Sequence, residues 1–251
     1  MRAVILAGGR GTRMAPFTKV LPKPLIPLGD YPILEIILCQ LRDAGFTRIT
    51  LALNYLAQLF RAYFGNGERL GIDLNYSVER EPLGTGGPLS LIDGLDEPFL
   101  VMNADVLTDL GFDELYDFHM ATDAALSLAL YPEEMQIDFG VVDLDARGRV
   151  TGFGEKPRHV HNLNMGVYVL SPEVLNLLPR EQFIDMPDLV RRAMGAGMPV
   201  HGYLHRGKWL DLGRTTDFNQ ASEEYQDLAR AAESRIALES LFPREAVVMA
   251  E

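Results

Sequence analysis

A glycine-rich loop near the start of the chain carries the residue types that point most directly to chemistry. Gly8, Gly9 and Gly11 are followed at once by Thr12 and Arg13. Glycines let consecutive backbone N–H groups turn toward one point and let an anion approach closely, and a guanidinium forms a two-pronged contact with phosphate oxygens. The pattern predicts a phosphate-binding loop, and a tight structural turn is the alternative.

A lysine held between prolines extends this cationic region. Pro22 and Pro24 flank Lys23, which limits backbone freedom and keeps the ammonium group in place. Residues 1–29 contain no Asp or Glu, and the whole chain has a formal net charge of −12. The basic residues of this stretch are Arg2, Arg10, Arg13, Lys19 and Lys23. A cationic stretch on an acidic chain indicates a small anionic ligand and argues against nucleic acid or an acidic membrane surface as partner.

Two well-known phosphate-binding loops do not fit this sequence. A P-loop ends in Gly-Lys-Ser/Thr, whereas Gly11 is followed by Thr12 and Arg13, and the dinucleotide fingerprint needs a third glycine where Met14 stands. The loop must therefore serve another kind of phosphate chemistry.

Strands and helices alternate through the first half of the chain, which predicts a parallel sheet with helices on both faces. We expect strands at 4–7, 48–53, 72–78 and 99–102, and helices at 32–44, 55–64 and 88–93. The second half changes to closely spaced strands at 125–131, 140–145, 150–153, 167–170 and 199–204, with helices at 172–178 and 186–195. An antiparallel or mixed layer is expected there. Residues 1–220 form the predicted domain, and 221–251 a helical tail that packs on it or takes part in an oligomer contact.

Composition sets the broad class. The chain has 251 residues and one cysteine, Cys39, so neither a disulfide framework nor a cysteine-based metal site is expected. No signal-peptide core and no apolar run of about 18 residues is present, so a soluble, cytoplasmic protein is expected. His159 and His161 are expected on a surface loop.

The loop and the lysine segment together resemble the signature of the sugar-1-phosphate nucleotidylyltransferases, also called nucleotide-sugar pyrophosphorylases. Further matches to that family follow in the same order up to about residue 220. They are Leu83-Gly84-Thr85-Gly86-Gly87, Asn103-Ala104-Asp105, Phe153-Gly154-Glu155-Lys156-Pro157, Asn164-Met165-Gly166-Val167-Tyr168 and Trp209-Leu210-Asp211-Leu212-Gly213. The resemblance implies an α/β fold with a Rossmann-like, mostly parallel mixed sheet flanked by helices and a smaller antiparallel sugar-binding lobe. The motifs leave no room for a C-terminal β-helix, so regulation through such a domain is not expected.

The resemblance also implies a reaction, in which an oxygen of a sugar 1-phosphate attacks the α-phosphorus of a nucleoside triphosphate and pyrophosphate leaves. The implied catalytic residues are Arg13, Lys23, Asp105 and Asp211, of which Asp105 and Asp211 would hold Mg²⁺. The implied nucleotide-binding residues are Leu6, Gly8, Gly9, Gly11, Thr12, Gly84, Thr85 and Asn103. The implied sugar-phosphate-binding residues are Gly140, Glu155, Lys156 and Asn164.

The Leu-Gly-Thr-Gly-Gly loop is similar to that of guanylyltransferases acting on mannose or heptose 1-phosphates, so GTP is the favoured nucleotide. Cytidylyl- and uridylyltransferases have similar loops, and these or a thymidylyltransferase of the same family remain open, as does a non-catalytic regulatory subunit that binds nucleotide sugars. A molybdenum-cofactor nucleotidyltransferase shares the first loop, but the Pro22-Lys23-Pro24 and Glu155-Lys156-Pro157 segments argue against it. The expected partners are the two substrates and, as an option, a second copy of the chain.

Overall fold

We analysed a computed structural model of the chain, which describes residues 1–9, 18, 20–54 and 56–212. The α-helices in this part are α1 (Ile33–Asp43), α2 (Ala57–Phe64), α3 (Phe112–Ala121) and α4 (Met186–Gly195). The strands are β1 (Arg2–Leu6), β2 (Pro27–Leu28), β3 (Tyr31–Pro32), β4 (Arg48–Leu53), β5 (Asp73–Val78), β6 (Phe99–Asn103), β7 (Val106–Thr108), β8 (Leu126–Gln136), β9 (Gly140–Leu144), β10 (Val150–Glu155), β11 (Arg158–Leu170), β12 (Val200–Leu204) and β13 (Trp209–Asp211). The predicted helical tail at 221–251 lies outside the described residues.

Seven of these strands form one sheet, in the order β12-β8-β11-β6-β1-β4-β5. Strands β6, β1, β4 and β5 run parallel, and β11 lies antiparallel between β6 and β8. The predicted division into a parallel first half and a mixed second half is confirmed, and the fold is of the mostly parallel, helix-flanked type. Parallel pairing places the carboxyl ends of β1, β4, β5 and β6 along one edge of the sheet.

Helix α1 shows how the sequence pattern produces the packing. Ile33, Ile37 and Leu41 recur every four residues and are fully buried against the sheet. The helix begins directly after Pro32, and its end is followed by Gly45, whose φ of +86° is a left-handed conformation that glycine adopts without strain. Prediction and structure agree here because the apolar period and both helix ends are local features.

Beyond β6 the structure departs from the prediction in four places. Helix α3 and the short pair β7 and β13 were not predicted. The segment expected as a helix at 172–178 is a 3-10 helix, Pro172–Leu177. Strand β11 begins at Arg158, nine residues before the expected start, so His159 and His161 lie on a strand and not on a loop.

The additional length of β8 and β11 forms an arm that extends beyond the seven-stranded sheet. Residues 133–136 of β8 pair with 158–161 of β11, and the hairpin of β9 and β10 lies between them in the chain. The first residues of β11 alternate between polar and exposed apolar types, so they lack the continuous apolar run that indicates a buried strand. Only the buried end of β11 was therefore predicted. We found no helix long and apolar enough to cross a membrane among the residues that the structure describes.

Candidate functional site

The parallel strands β1, β4, β5 and β6 each end next to a residue of the candidate site. Gly8 follows β1, Asn54 follows β4, Glu79 follows β5, and Asp105 follows β6. Since ligands of open α/β sheets bind beyond the carboxyl ends of the strands, this edge of the sheet is where a ligand is expected.

The first cavity at this edge has a volume of about 300 Å³. Five residues predicted to bind nucleotide line it, namely Leu6, Gly8, Gly9, Gly84 and Thr85. They come from the end of β1 and from the Leu-Gly-Thr-Gly-Gly loop, so the fold brings together two motifs that lie more than seventy positions apart in the sequence. The predicted residues Gly11, Thr12 and Arg13 lie outside the described part of the chain.

Glu79 lines the first cavity and was not predicted. Its side chain is held from two sides: Asn54 Nδ2 donates a hydrogen bond to Oε1 at 3.0 Å, and the backbone N–H of Leu83 donates to Oε2 at 3.0 Å. The residue is only 8% exposed. A buried carboxylate fixed in this way offers its remaining lone pairs to a ligand in the cavity. Its position directly after a parallel strand is the signal that sequence reasoning overlooked.

The glycine loop at 83–87 bonds mainly to the segment that precedes α4. The N–H groups of Gly86 and Gly87 both donate to the carbonyl oxygen of Ile184, at 2.8 and 3.0 Å, and Ile184 N donates back to Leu83 O at 3.0 Å. A Cβ atom at Gly84 would lie 2.6 Å from Ile184 O. The structure uses these N–H donors to hold the loop against its neighbour.

Thr85 is part of the same junction. Asp185 Oδ1 accepts hydrogen bonds from the Thr85 backbone N–H at 3.0 Å and from its hydroxyl at 3.3 Å, and Met186 N donates to the Thr85 hydroxyl oxygen at 2.8 Å. The hydroxyl therefore uses both its donor and an acceptor position within the protein. Thr85 and Asp185 form a wall that the first cavity shares with a second one.

The second cavity has a volume of about 330 Å³ and is lined by Asn103, Asn164 and Asp211 among the predicted residues. Asn164 Nδ2 donates to the Tyr168 hydroxyl oxygen at 2.7 Å, and its Oδ1 accepts from Gly166 N at 3.1 Å. Burial raises the pKa of Tyr168, with the Asn164 hydrogen bond acting in the opposite direction. The amide of Asn164 is thus set in a fixed orientation at the cavity wall.

Lys23 and Asp105, predicted on separate grounds, form an ion pair. Lys23 Nζ lies 2.6 Å from Asp105 Oδ2, and the two side chains are 7% and 30% exposed. Two charges removed this far from water require a partner each, and in this structure each supplies the other.

Asp211 lies beside Asp105 because β13 pairs with β7. Asp211 is opposite Val106 in this antiparallel pair, and the backbone N–H of Leu212 donates to Asp105 O at 3.0 Å. No cluster of three or more His, Cys, Asp or Glu side chains occurs among the described residues. Two aspartates on adjoining backbone segments fit Mg²⁺, which is typically bound by one or two carboxylates together with water and substrate phosphates.

Three predicted sugar-phosphate residues lie elsewhere. Gly140 and Glu155 are paired across the β9–β10 hairpin, and Lys156 follows directly with a φ of +46°. A Cβ at Gly140 would lie 3.2 Å from Glu155 Oε2, so the absence of a side chain leaves room for that carboxylate. None of the three lines either cavity; the structure groups them on the arm.

Comparison with known proteins gives an independent view of the same chain. A family model described as "Nucleotidyl transferase" matches residues 2–228. A mannose-1-phosphate guanyltransferase of Candida albicans is 36% identical over 231 residues, which is 87% of this chain and 62% of the relative. A UTP–glucose-1-phosphate uridylyltransferase of Synechocystis is 33% identical over 241 residues, 88% of this chain and 62% of the relative.

The chain thus spans about three fifths of the length of these two curated relatives. Among solved structures, HddC of Yersinia pseudotuberculosis in complex with GMP-PN superposes with a TM-score of 0.66 at 24% identity, over 89% of this chain and 99% of that one. At this level of identity the likeness supports the fold alone.

Proposed function

Because the chain belongs to the nucleotidyl transferase family, among the sugar-1-phosphate nucleotidylyltransferases, we propose that it transfers a nucleoside monophosphate from an NTP to a hexose or heptose 1-phosphate. GTP is the nucleotide we favour. The products are an NDP-sugar and pyrophosphate. A phosphate oxygen of the sugar 1-phosphate attacks the α-phosphorus, the bond between the α-phosphorus and its bridging oxygen breaks, and pyrophosphate takes up the electron pair.

One observation carries this proposal: the Lys23–Asp105 ion pair follows β6, and the backbone of Asp105 adjoins the strand that brings Asp211 to the wall of the second cavity. Transfers of this kind need little covalent chemistry from the protein, so catalysis consists of positioning the reactants and neutralising negative charge. Lys23 would hold the incoming phosphate near the α-phosphorus. Arg13, which lies outside the described residues, would neutralise the triphosphate.

Asp105 and Asp211 would hold Mg²⁺ between them, with water and substrate phosphates as further ligands. When bound, the ion supplies positive charge to the phosphate oxygens and so favours in-line displacement. The protein contributes the fixed separation of the two carboxylates through the pairing of β7 and β13. The Lys23 ammonium, which pairs with Asp105 in this structure, would bind a substrate phosphate instead when the substrates enter.

The two cavities suggest how the substrates divide. Base and ribose would occupy the cavity with Gly8, Gly84 and Glu79, and the sugar the cavity with Asn103 and Asn164. Gly140, Glu155 and Lys156 remain proposed sugar-phosphate residues on the arm, where Lys156 would meet a phosphate and Glu155 a hydroxyl.

The chemistry of Glu79 favours GTP. Guanine presents two adjacent donors, N1–H and the 2-amino group, which match a carboxylate, whereas uracil and thymine present one N–H between two carbonyl acceptors. Relatives of both kinds match the chain, so a uridylyl-, thymidylyl- or cytidylyltransferase is the alternative. A non-catalytic regulatory subunit is less well supported, since Lys23, Asp105 and Asp211 are all present.

The test is pyrophosphate release from the full chain with Mg²⁺, measured over a matrix of GTP, CTP, UTP, dTTP and ATP against α-D-mannose, α-D-glucose and heptose 1-phosphates. We expect turnover, with GTP preferred. Asp105→Asn and Asp211→Asn should each lower kcat by at least about 100-fold, because each removes one charged ligand of the metal. Circular dichroism shows whether the variants fold, and Asp113→Asn, at an exposed position of α3, is the matched control. Folded variants with normal kcat would contradict the metal site.

A further inference from the structure

We propose that Asp185 recognises a hydroxyl group of the sugar 1-phosphate and is therefore a specificity-determining residue of the reaction. The inference rests on the proposed function and deepens it. Asp185 was not among the residues predicted from the sequence, because an Asp followed by Met-Pro-Asp at the start of a helix is typical of an N-cap. The structure gives its side chain no capping hydrogen bond to α4.

The carboxylate of Asp185 is held in one orientation. Oδ1 accepts two hydrogen bonds from Thr85, one from the backbone N–H at 3.0 Å and one from the hydroxyl at 3.3 Å. The Thr85 hydroxyl is itself fixed by the N–H of Met186, at 2.8 Å. Because one oxygen is held in this way, the position of the other, Oδ2, is fixed too.

No hydrogen bond or ion pair in the part of the chain that the structure describes uses Asp185 Oδ2. Asp185 lines both cavities, so a ligand in either one comes close to this carboxylate. A carboxylate oxygen accepts hydrogen bonds and cannot donate them, so the group that it recognises must be a donor. A fixed acceptor at a cavity wall is the arrangement that distinguishes a hydroxyl from hydrogen at the same position of a ligand.

The other polar groups of the second cavity are largely occupied by the protein. Trp209 Nε1 donates to Met165 O at 3.2 Å, and both ends of the Asn164 amide are bonded at 2.7 and 3.1 Å. Among the described residues, Asn103 makes no side-chain hydrogen bond. Asp185 Oδ2 and the Asn103 amide are therefore two lining groups of this cavity that no hydrogen bond among the described residues uses.

The sugar is the better match than the ribose of the NTP. The first cavity already holds a fixed carboxylate, Glu79, and its other lining residues are largely apolar or glycine, such as Leu6, Ala52, Pro82 and Pro88. The first cavity also has the Asn54 amide, but that amide already donates to Glu79, whereas the second cavity adds Asn103, Asn164, Tyr168 and Asp211 to the shared Thr85 and Asp185. The experiment below distinguishes binding of the sugar by Asp185 from binding of the ribose.

The variant that isolates this oxygen is Asp185→Asn. Its carbonyl oxygen can still accept from Thr85, while the atom at the Oδ2 position changes from an acceptor to a donor and the size stays the same. Asp188→Asn is the matched control, because Asp188 is three residues along the chain in α4, pairs with Arg191 and lines neither cavity. Both variants are checked by circular dichroism and thermal unfolding.

The measurement is kcat and KM with GTP for α-D-mannose 1-phosphate and its 2-, 3-, 4- and 6-deoxy analogues, on the wild type and both variants. We expect one deoxy analogue to lose about 10- to 100-fold in kcat/KM with the wild type, the usual effect of one hydrogen bond to a charged group. Asp185→Asn should lower kcat/KM for the parent sugar by a similar factor and remove most of the difference between the parent and that analogue. KM for GTP should change less than about 3-fold. Asp188→Asn should match the wild type.

The binding of α-D-mannose 1-phosphate and GDP-mannose, measured by isothermal titration calorimetry, separates the two ways to fail. Turnover by the wild type with unchanged sugar selectivity in Asp185→Asn overturns this inference and leaves the proposed function intact. A rise in KM confined to GTP, relieved with 2′-deoxy-GTP, assigns Asp185 to the ribose and also overturns it. A wild type that neither binds these ligands nor releases pyrophosphate with any pair contradicts the proposed function and this inference together.

Discussion

Single residues at the site show how chemistry and folding stability are combined. The side chains of Lys23 and Asp105 are 7% and 30% exposed and pair with each other. Without a ligand, the protein thus holds a cation and an anion in fixed positions with little contact to water. Glu79 is held by Asn54 and Leu83 in the same manner. In both cases the protein has fixed the position of a charge before a ligand arrives, which is the condition for electrostatic stabilisation without reorganisation.

At Glu79 we expect the variant Glu79→Gln to lower kcat/KM for GTP by about 10- to 100-fold. The amide presents one donor where guanine also presents donors, so a charged hydrogen bond is lost. The ratio of GTP to UTP turnover should fall with it, and this ratio is the measurement.

Glu81→Gln is the control for that experiment, since Glu81 is exposed and lines neither cavity. A GTP-to-UTP ratio that is the same in wild type and Glu79→Gln would show that the base is read by other groups.

Residues that act through a local motif were the ones that the sequence could place. Lys23 between prolines and Asp105 after a buried run were both predicted, and the structure joins them. Glu79 and Asp185 were not, because each depends on a contact with a segment that is distant in the chain or folded back by a turn. Arg13 stays a prediction.

At the scale of elements, the loop at 83–87 is built as a partner of the segment before α4. The N–H groups of Gly86 and Gly87 both donate to Ile184 O, and Gly84 has a φ of +77°. Together these features fix the backbone conformation of the loop. The close approach of Gly84 to Ile184 O gives this glycine a structural reason in addition to its proposed place in the nucleotide cavity.

We expect Gly84→Ala to destabilise the fold and to raise KM for the NTP. An L-residue in the left-handed region costs about 1–2 kcal/mol, and the new Cβ would meet Ile184 O at 2.6 Å. Gly148→Ala is the control, since it has a φ of +80° with no atom within 4 Å of the added Cβ and so carries the backbone cost alone. Urea unfolding and NTP kinetics should show a larger loss for Gly84→Ala; equal losses would contradict the contact.

Helices and strands with a regular apolar pattern or a clear terminal signal could be predicted from the sequence. Short strands that form only by pairing with a distant strand could not. The buried strands β1, β4 and β6 and helix α1 follow from local apolar patterns. Strands β7 and β13 are three residues each and exist through pairing with each other. The long β11 passes from the core into the arm, and only its core end has the apolar run that a buried strand shows.

At the scale of the whole molecule, a buried histidine links three elements. His119 on α3 is 2% exposed, and its ring nitrogens contact Ser127 Oγ on β8 at 2.9 Å and Ser171 Oγ after β11 at 3.0 Å. Burial lowers the pKa of His119, with Glu173 raising it and His201 lowering it further. The folded chain therefore keeps this ring neutral where the unfolded chain would protonate it.

This predicts a stability that falls as the pH drops below about 6.5, the ordinary value for histidine. Above that pH neither state binds the proton and the contribution is complete; below it the unfolded state gains the proton first, at a cost to the fold of up to about 1.4 kcal/mol per pH unit. Urea unfolding at pH 7 and pH 5 should show a smaller difference for His119→Gln than for the wild type. His161→Gln, on the exposed arm, is the control, and an unchanged difference in His119→Gln would refute the linkage.

The wall formed by Thr85 and Asp185 has a consequence for anyone who would retune this chain. A substitution there that changes the side-chain volume, unlike the isosteric Asp185→Asn, alters the shape of both cavities at once, so a change intended for one proposed substrate site also perturbs the other. Directed libraries that vary one site alone would then meet epistasis at this wall, and variants that gain a new sugar preference through a larger or smaller side chain there should also carry an altered nucleotide preference. Because Thr85 and Asp185 border both cavities, selecting variants on the nucleotide and the sugar together is the better strategy.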